Sequence, residues 1–451
     1  MLATFVGLSM LMAVAGGIAT LVGCLLGRRL RARQARRHPQ QAAARERTRQ
    51  ARRLAAEWPL LAQTLGLGYR DQWTHQHRFQ AAEFVADDQG VTATVAAIAG
   101  AGLADFQRAA GYLADTWGCV ALRAEQQGPG LIRLRGLHRD PLLAPARIDL
   151  SGLAPASLDS WWLGWAEDSQ PVNVRLAEVS GIVVAGLAGF GKTMLVTHQL
   201  GQLAPSPAVQ FVLIDGKGGP DYDRLFPRTW LSAKDDLSKI RDVLRRVHRL
   251  MVDRQGAIAH VLGVTDAWHV GPSPTWPLVV VVIDEAHTFF HERKGTSPEV
   301  KAHNALVAEL SRLVEELIRK GRNVAIQVML LTQRATGDAI PTRIRDNCQV
   351  AISFATRTVD GAVAALGEEI RQHPDASPVL LNDPAYVGVA VTSLPGRPGF
   401  HRVRTPQVDQ HQVAAIIRAS VGLRADPAEL LAGQAPGLRV VPAMPTPGDV
   451  A

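Results

Sequence analysis

The stretch "GIVVAGLAGFGKTMLV" holds Gly186, then four residues, then the run Gly191, Lys192, Thr193, after an apolar β-branched segment and before a segment of helical spacing. A loop of this composition cradles phosphate. Gly186, Gly189 and Gly191 free the backbone N–H groups to wrap an anion at the positive end of the following helix. Lys192 can then reach the β- and γ-phosphates of a nucleoside triphosphate, and the Thr193 hydroxyl can ligate Mg²⁺. A second run, "VVVVIDEAHTFF", ends its aliphatic part at Asp284 and Glu285. A strand that stops at an acidic pair puts Asp284 where it can hold the metal's water shell, and Glu285 where it can take a proton from an attacking water. ATP and Mg²⁺ are the cofactors that these residues fit.

The elements that must position these groups are legible in the pattern. "GIVVAG", "AVQFVLID", "LVVVVID", "AIQVMLLTQ" and "CQVAISFA" are short, β-branched and apolar on both faces, as buried parallel strands are, and helical segments alternate with them. The fold class expected is α/β, a RecA-like P-loop ATPase with a mostly parallel sheet. Ahead of it lies a small α+β unit of βαββ order. "VTATVAAIAG" reads as a strand, Leu103 to Gly118 as a helix, and "CVALRAE" and "GLIRLRGLH" as strands joined by the turn "QQGPG". No cluster of catalytic residues falls in this unit, which suggests assembly or positioning. Beyond about Thr405 one amphipathic helix and a proline-rich tail are expected.

Charge is distributed unevenly. The formal balance is +8, yet residues 27–53 alone hold eleven arginines against Glu46, so the rest of the chain is close to neutral. The high isoelectric point is therefore no argument that the body of the protein binds nucleic acid. Ala3 to Leu26 carries no charge and is long enough for one N-terminal transmembrane helix, with the arginines after it expected on the cytoplasmic side, against an anionic membrane surface, and the N-terminus outside. Cys24, Cys119 and Cys348 are far apart and odd in number, which supports neither a disulfide framework nor a zinc cluster.

The letters DEAH also name a helicase class, but the coupling motif and second RecA-like domain of that class are not found. A lone nucleotide core needs a neighbouring subunit to complete its site, which implies a ring. Together with "VLIDGKGGPDYDRL", "LGWAEDSQPVNVRLAEVSGIVVAG" and the pair Thr332 and Gln333 closing an apolar strand, residues 85 to 405 resemble the FtsK/SpoIIIE branch of the FtsK/HerA ring ATPases. "IDEAH" itself is similar to HerA relatives.

The resemblance implies ATP hydrolysis, a homohexameric ring and double-stranded DNA as the track. It implies Gln333 as a sensor of the γ-phosphate or the attacking water, and Asp215 at the edge of the site. For the arginine acting in trans it points to Arg322, with Arg319, Arg345 and Arg357 as rivals. In such rings DNA is held by pore loops, and "FHERKGTSPEVKAHN" offers Arg293, Lys294 and Lys301 as phosphate contacts, an ordinary surface loop being the alternative. His287 is read as a packing or loop-anchoring residue.

The expected organisation is an anchor at 1–27, an arginine-rich linker at 28–65, the small domain at 66–150, the motor at 151–405 and a C-terminal segment at 406–451. The function expected is a membrane-anchored, ATP-driven translocase of duplex DNA, serving intercellular transfer of a mobile element or chromosome segregation, with possible further membrane partners. A protein-secretion ATPase of the type VII kind is the alternative, against which the single phosphate loop counts. A vestigial ATPase is opposed by the intact Lys192, Thr193, Asp284, Glu285 and Gln333.

Overall fold

The computed structural model describes residues 39–434, apart from 71–76, 80–81, 99, 144–146, 149, 151–157 and 334–338. The apolar stretch Ala3 to Leu26 and the proline-rich tail lie outside the described residues. Among the described residues no helix is long and apolar enough to cross a membrane. The chain forms two compact units, 1–140 and 141–451.

In the first unit, α1 (Pro39–Thr64) leads to the antiparallel hairpin β1 (Gly68–Arg70) and β2 (His77–Phe79). Then come β3 (Ala82–Ala86), β4 (Gly90–Ala96), α2 (Leu103–Trp117), β5 (Ala121–Gly128) and β6 (Leu131–Leu137), whose four strands form an antiparallel sheet in the order β3-β4-β6-β5. The segment expected as a linker is corrected here: from Pro39 onward it is helix. Leu54, Trp58 and Ala62, four residues apart, are buried and share a core with Phe106 and Trp117. Trp58 stacks on Phe106 at 6.4 Å and meets Phe84 edge-on at 5.9 Å. An arginine-rich surface therefore hides an apolar stripe that belongs to the small unit.

The second unit opens with β7 (Arg147–Ile148), β8 (Ser160–Ala166), β9 (Pro171–Arg175) and β10 (Gly181–Ala185). Helix α3 (Lys192–Leu203), β11 (Val209–Asp215), β12 (Thr229–Lys234), α4 (Leu237–Leu262), β13 (Leu278–Asp284), α5 (Pro298–Lys320) and β14 (Ile326–Thr332) follow. The remainder is α6 (Thr342–Arg345), β15 (Val350–Ser353), α7 (Val359–Leu366), β16 (Val389–Leu394), β17 (Arg397–Arg404), β18 (Gln407–Val408), α8 (Gln410–Ala419) and α9 (Pro427–Gln434).

Ten strands form one sheet in the order β12-β11-β13-β14-β10-β15-β16-β17-β8-β9. The first six pair in parallel and the last four are added antiparallel. Every residue of β10, β11, β13 and β14 is buried, which requires helices on both faces and explains their unbroken aliphatic sequences. The five expected parallel strands are present; β12 and the antiparallel strands were not expected. Residues from Pro141 also belong to this unit, because β7 pairs in parallel with β18. The C-terminal segment holds a second helix, α9, where one was expected.

Truncating Trp58 is the test of α1. Trp58→Ala is expected to destabilise the small unit by about 3–5 kcal/mol, the usual cost of deleting a buried aromatic, read by urea unfolding of the full chain. An unchanged midpoint for that unit would return the helix to the status of a tether.

Candidate nucleotide site

Because β10, β11, β13 and β14 run parallel, their carboxyl ends share one edge of the sheet, and each delivers a polar group there. Strand β14 lies between β10 and β13, pairing Ala185 with Thr332 on one side and Ile283 with Leu330 on the other. Gln333, the residue after Thr332, is thus set between the phosphate loop and the acidic pair. One strand further, Asp215 is in register with Asp284.

The loop from Gly186 to Gly191 has the backbone that its glycines permit, with φ of 143°, 81° and 118° at Gly186, Gly189 and Gly191. At Gly186 space also forbids a side chain, since a Cβ would sit 2.6 Å from Cβ of Phe354. Phe354 and Ala355 hold the loop by its backbone: Phe354 N–H donates to the Ala185 carbonyl at 2.8 Å, and Leu187 N–H to the Ala355 carbonyl at 2.9 Å. Helix α3 starts at Lys192, so its free N–H groups face the cradle.

Lys192 is buried, and its Nζ donates to the carbonyls of Gly186 and Leu187 at 2.5 and 2.9 Å. Burial pushes its pKa down to about 8, an effect that the carboxylates of Asp284 and Glu285 oppose. Asp284 is 7 % exposed, and burial raises its pKa above the usual carboxylate range. Two donors compensate it: the Tyr222 hydroxyl reaches Oδ2 at 2.9 Å, and Glu285 N–H reaches Oδ1 at 2.9 Å.

Tyr222 is fully buried. Burial, then the Asp284 charge, holds its phenol well above the ordinary range, so it remains a donor. It therefore fixes Asp284, one of the two side chains proposed from sequence as metal-holding groups. Sequence reasoning missed it, although it falls within the quoted stretch "DGKGGPDYDRL"; its partner is distant in the chain.

Glu285 takes up a left-handed backbone, φ 53°, and its carbonyl accepts from Thr288 N–H at 3.0 Å and Thr288 Oγ1 at 2.9 Å. Its carboxylate lies 4.0 Å from Nδ1 of His287. His287, expected as packing, stands beside the carboxylate that was assigned to the water. Asp215 is buried at the edge of the site and turns the chain, its Oδ1 accepting from the N–H groups of Lys217 and Gly218.

Lys192, Thr193, Asp284, Gln333, Gly189 and Gly191 line a cavity of about 630 Å³. Another wall is formed by Leu143, Pro384, Ala385, Val387 and Gly388, with Gln407 and Gln410 also lining the cavity, and Gly388 N–H donates to the Phe190 carbonyl of the phosphate loop at 3.1 Å. Arg404, buried, donates to the carbonyls of Leu142, Ala385 and Val387 and ties that wall together. The lining combines lysines and glycine N–H donors with apolar side chains and two amides, a combination that suits a molecule carrying both phosphates and a flat base. This second wall had no signature in the sequence.

A single buried carboxylate with a neighbouring hydroxyl fits Mg²⁺, which keeps several waters and takes few protein ligands. Among the described residues no group of three or more His, Cys, Asp or Glu could hold a metal by itself.

The remaining expected residues lie apart from the cavity. Arg322 is exposed at the amino end of β14, across the sheet from the cavity, and its carbonyl accepts from Trp268 Nε1 at 3.0 Å. Arg319 ends α5, Arg345 donates to the Ala364 carbonyl at 3.1 Å, and Arg357 is exposed. Arg293, Lys294 and Lys301 are exposed beyond the Glu285 turn. Their loop is tied down by Asn304, which accepts from Arg293 N–H at 2.8 Å and donates to its carbonyl at 3.0 Å.

No family model matches the sequence, and no curated protein matches it. Among solved structures the chain is similar to the conjugation coupling protein TcpA of pCW3, in its monomer form with ATPγS. The identity is 15 %, over 83 % of this chain and 100 % of that one, with a TM-score of 0.54. It is also similar to the cytoplasmic domain of the type VII secretion ATPase EccC of Thermomonospora curvata, at 20 % identity over 65 % of this chain and 34 % of that one, TM-score 0.47. For ATPases 2 and 3 of EssC from Geobacillus thermodenitrificans the values are 16 %, 64 %, 51 % and 0.45. The chain thus spans the whole of the TcpA structure but only a third to a half of the secretion ATPases. The likeness to TcpA is one of fold: a mixed α/β P-loop ATPase with a large, mostly parallel sheet.

Removing the Tyr222 hydroxyl leaves the Asp284 carboxylate short of a donor. Tyr222→Phe is expected to lower unfolding free energy by about 1.5–3 kcal/mol, the range for hydrogen bonds to charged groups, measured by chemical denaturation at pH 7. Wild-type stability in that variant would remove Tyr222 from the site.

Proposed function

We propose that the chain is an ATP-hydrolysing motor of the FtsK/HerA superfamily that moves double-stranded DNA during conjugative transfer. It works as a homohexameric ring anchored by Ala3 to Leu26, with the N-terminus outside and the motor in the cytoplasm. The observation that carries the ATPase reading is the convergence of Lys192, Thr193, Asp284 and Gln333 on one cavity. The conjugative reading is supported by the fold shared with TcpA, a conjugation coupling protein.

Bound ATP with Mg²⁺ supplies the scissile phosphoanhydride and the cation that screens it. The protein's own groups do the rest. Lys192 exchanges the carbonyls of Gly186 and Leu187 for phosphate oxygens, a charged partner in place of neutral ones. Thr193 and Asp284 would hold the metal, with Tyr222 fixing the Asp284 carboxylate. Glu285 accepts the proton of the attacking water, and Gln333, between the phosphate loop and the acidic pair, reports the outcome. Arg322 is assigned to the neighbouring subunit's site. Arg293, Lys294 and Lys301 lie on the segment that follows Glu285 and face solvent, where sequence-independent attraction to DNA phosphates operates.

Lys192→Ala is expected to abolish hydrolysis, and Glu285→Gln to lower kcat about 10²- to 10⁴-fold while ATP binding persists, both read by phosphate release from the full-length chain. Duplex DNA is expected to stimulate wild-type hydrolysis above single strands, and joint replacement of Arg293, Lys294 and Lys301 by alanine to remove that stimulation. Hydrolysis indifferent to duplex DNA would shift the reading to a protein cargo.

A further inference from the structure

The loop after β11 brings a second lysine to the nucleotide cavity. Lys217 and Asp221 both line it, with Lys217 Nζ 3.6 Å from Asp221 Oδ2, both side chains about half exposed. At that distance and exposure the pair is a loose one that contributes little stability.

The backbone under Lys217 is fixed. Asp215 Oδ1 accepts its N–H at 3.0 Å, and Gly216 N–H donates to the Asp284 carbonyl at 3.1 Å. Gly216 is seated so closely that a Cβ would lie 2.6 Å from Phe289 Cζ and 2.8 Å from the Asp284 carbonyl oxygen. The base of Lys217 is thereby interlocked with the turn that carries Glu285, while its amine is free to leave Asp221.

Two lysines on one cavity repel each other, and Lys217 contributes to lowering the pKa of Lys192. Such a pair is stabilised by a polyanion spanning both. We propose that Lys217 is a second phosphate-binding cation, which releases Asp221 to engage the terminal phosphate of a nucleoside triphosphate and so distinguishes triphosphate from diphosphate. This rests on the nucleotide reading of the site.

The test is titration of the full-length protein with fluorescent analogues of ATP and ADP in Mg²⁺, for wild type, Lys217→Ala, Lys217→Arg, Asp221→Asn and Lys192→Ala. Lys217→Ala is expected to weaken the ATP analogue about tenfold, the equivalent of one charge-assisted hydrogen bond, with the ADP analogue nearly unchanged. Lys217→Arg should restore the preference, and Asp221→Asn should tighten the ATP analogue. Lys217→Ala binding both analogues as wild type does, or losing both equally, overturns the assignment. If wild type binds while Lys192→Ala does not, such a result leaves the nucleotide site standing and removes Lys217 alone. If wild type binds neither analogue, both readings fall.

Discussion

Asp284 is a carboxylate held where water scarcely reaches, and the second unit is arranged around that requirement. An uncompensated charge at such a depth would be neutralised or would unfold its surroundings. The protein meets it with a phenol from the loop after β11, the next backbone N–H in the chain, and the positive field of Lys192 from the phosphate loop. Each donor comes from a different element, so strand order and register must hold together for any of them to arrive.

The sequence reveals the interior more readily than the rim. Strands β10, β11, β13, β14 and β15 are legible because burial on both faces leaves unbroken aliphatic runs. Strands β9 and β17 are not. The first begins with Pro171 and alternates exposed with buried positions, and the second carries Pro398 and Gly399 inside it. Helix α1 is concealed by five arginines and a run of alanines, although Leu54, Trp58 and Ala62 have the spacing of a buried stripe.

The same division holds within the site. Lys192, Thr193, Asp284 and Gln333, which line the cavity, stand out in the sequence because each ends or follows a local run of distinctive composition. Tyr222 and Arg404 depend on partners far away: Arg404 grips the Leu142 carbonyl from 262 residues downstream. No local pattern encodes such a contact.

The pinned loop between Glu285 and α5 has a mechanical consequence. Asn304 makes the loop part of the helix, and α5 runs 23 residues, about 35 Å at 1.5 Å per residue. At its far end the chain reverses within a few residues, and the buried guanidinium of Arg254 grips the Val324 carbonyl in that turn at 2.9 Å. Strand β14 then returns to the cavity and ends beside Gln333. Glu285 and Gln333 are thus the two tips of one folded-back rod, with the candidate DNA contacts near the first tip and Arg322 at the bend. In the ring proposed above, a shift at either tip would be carried to the bend, where a docked subunit would meet it.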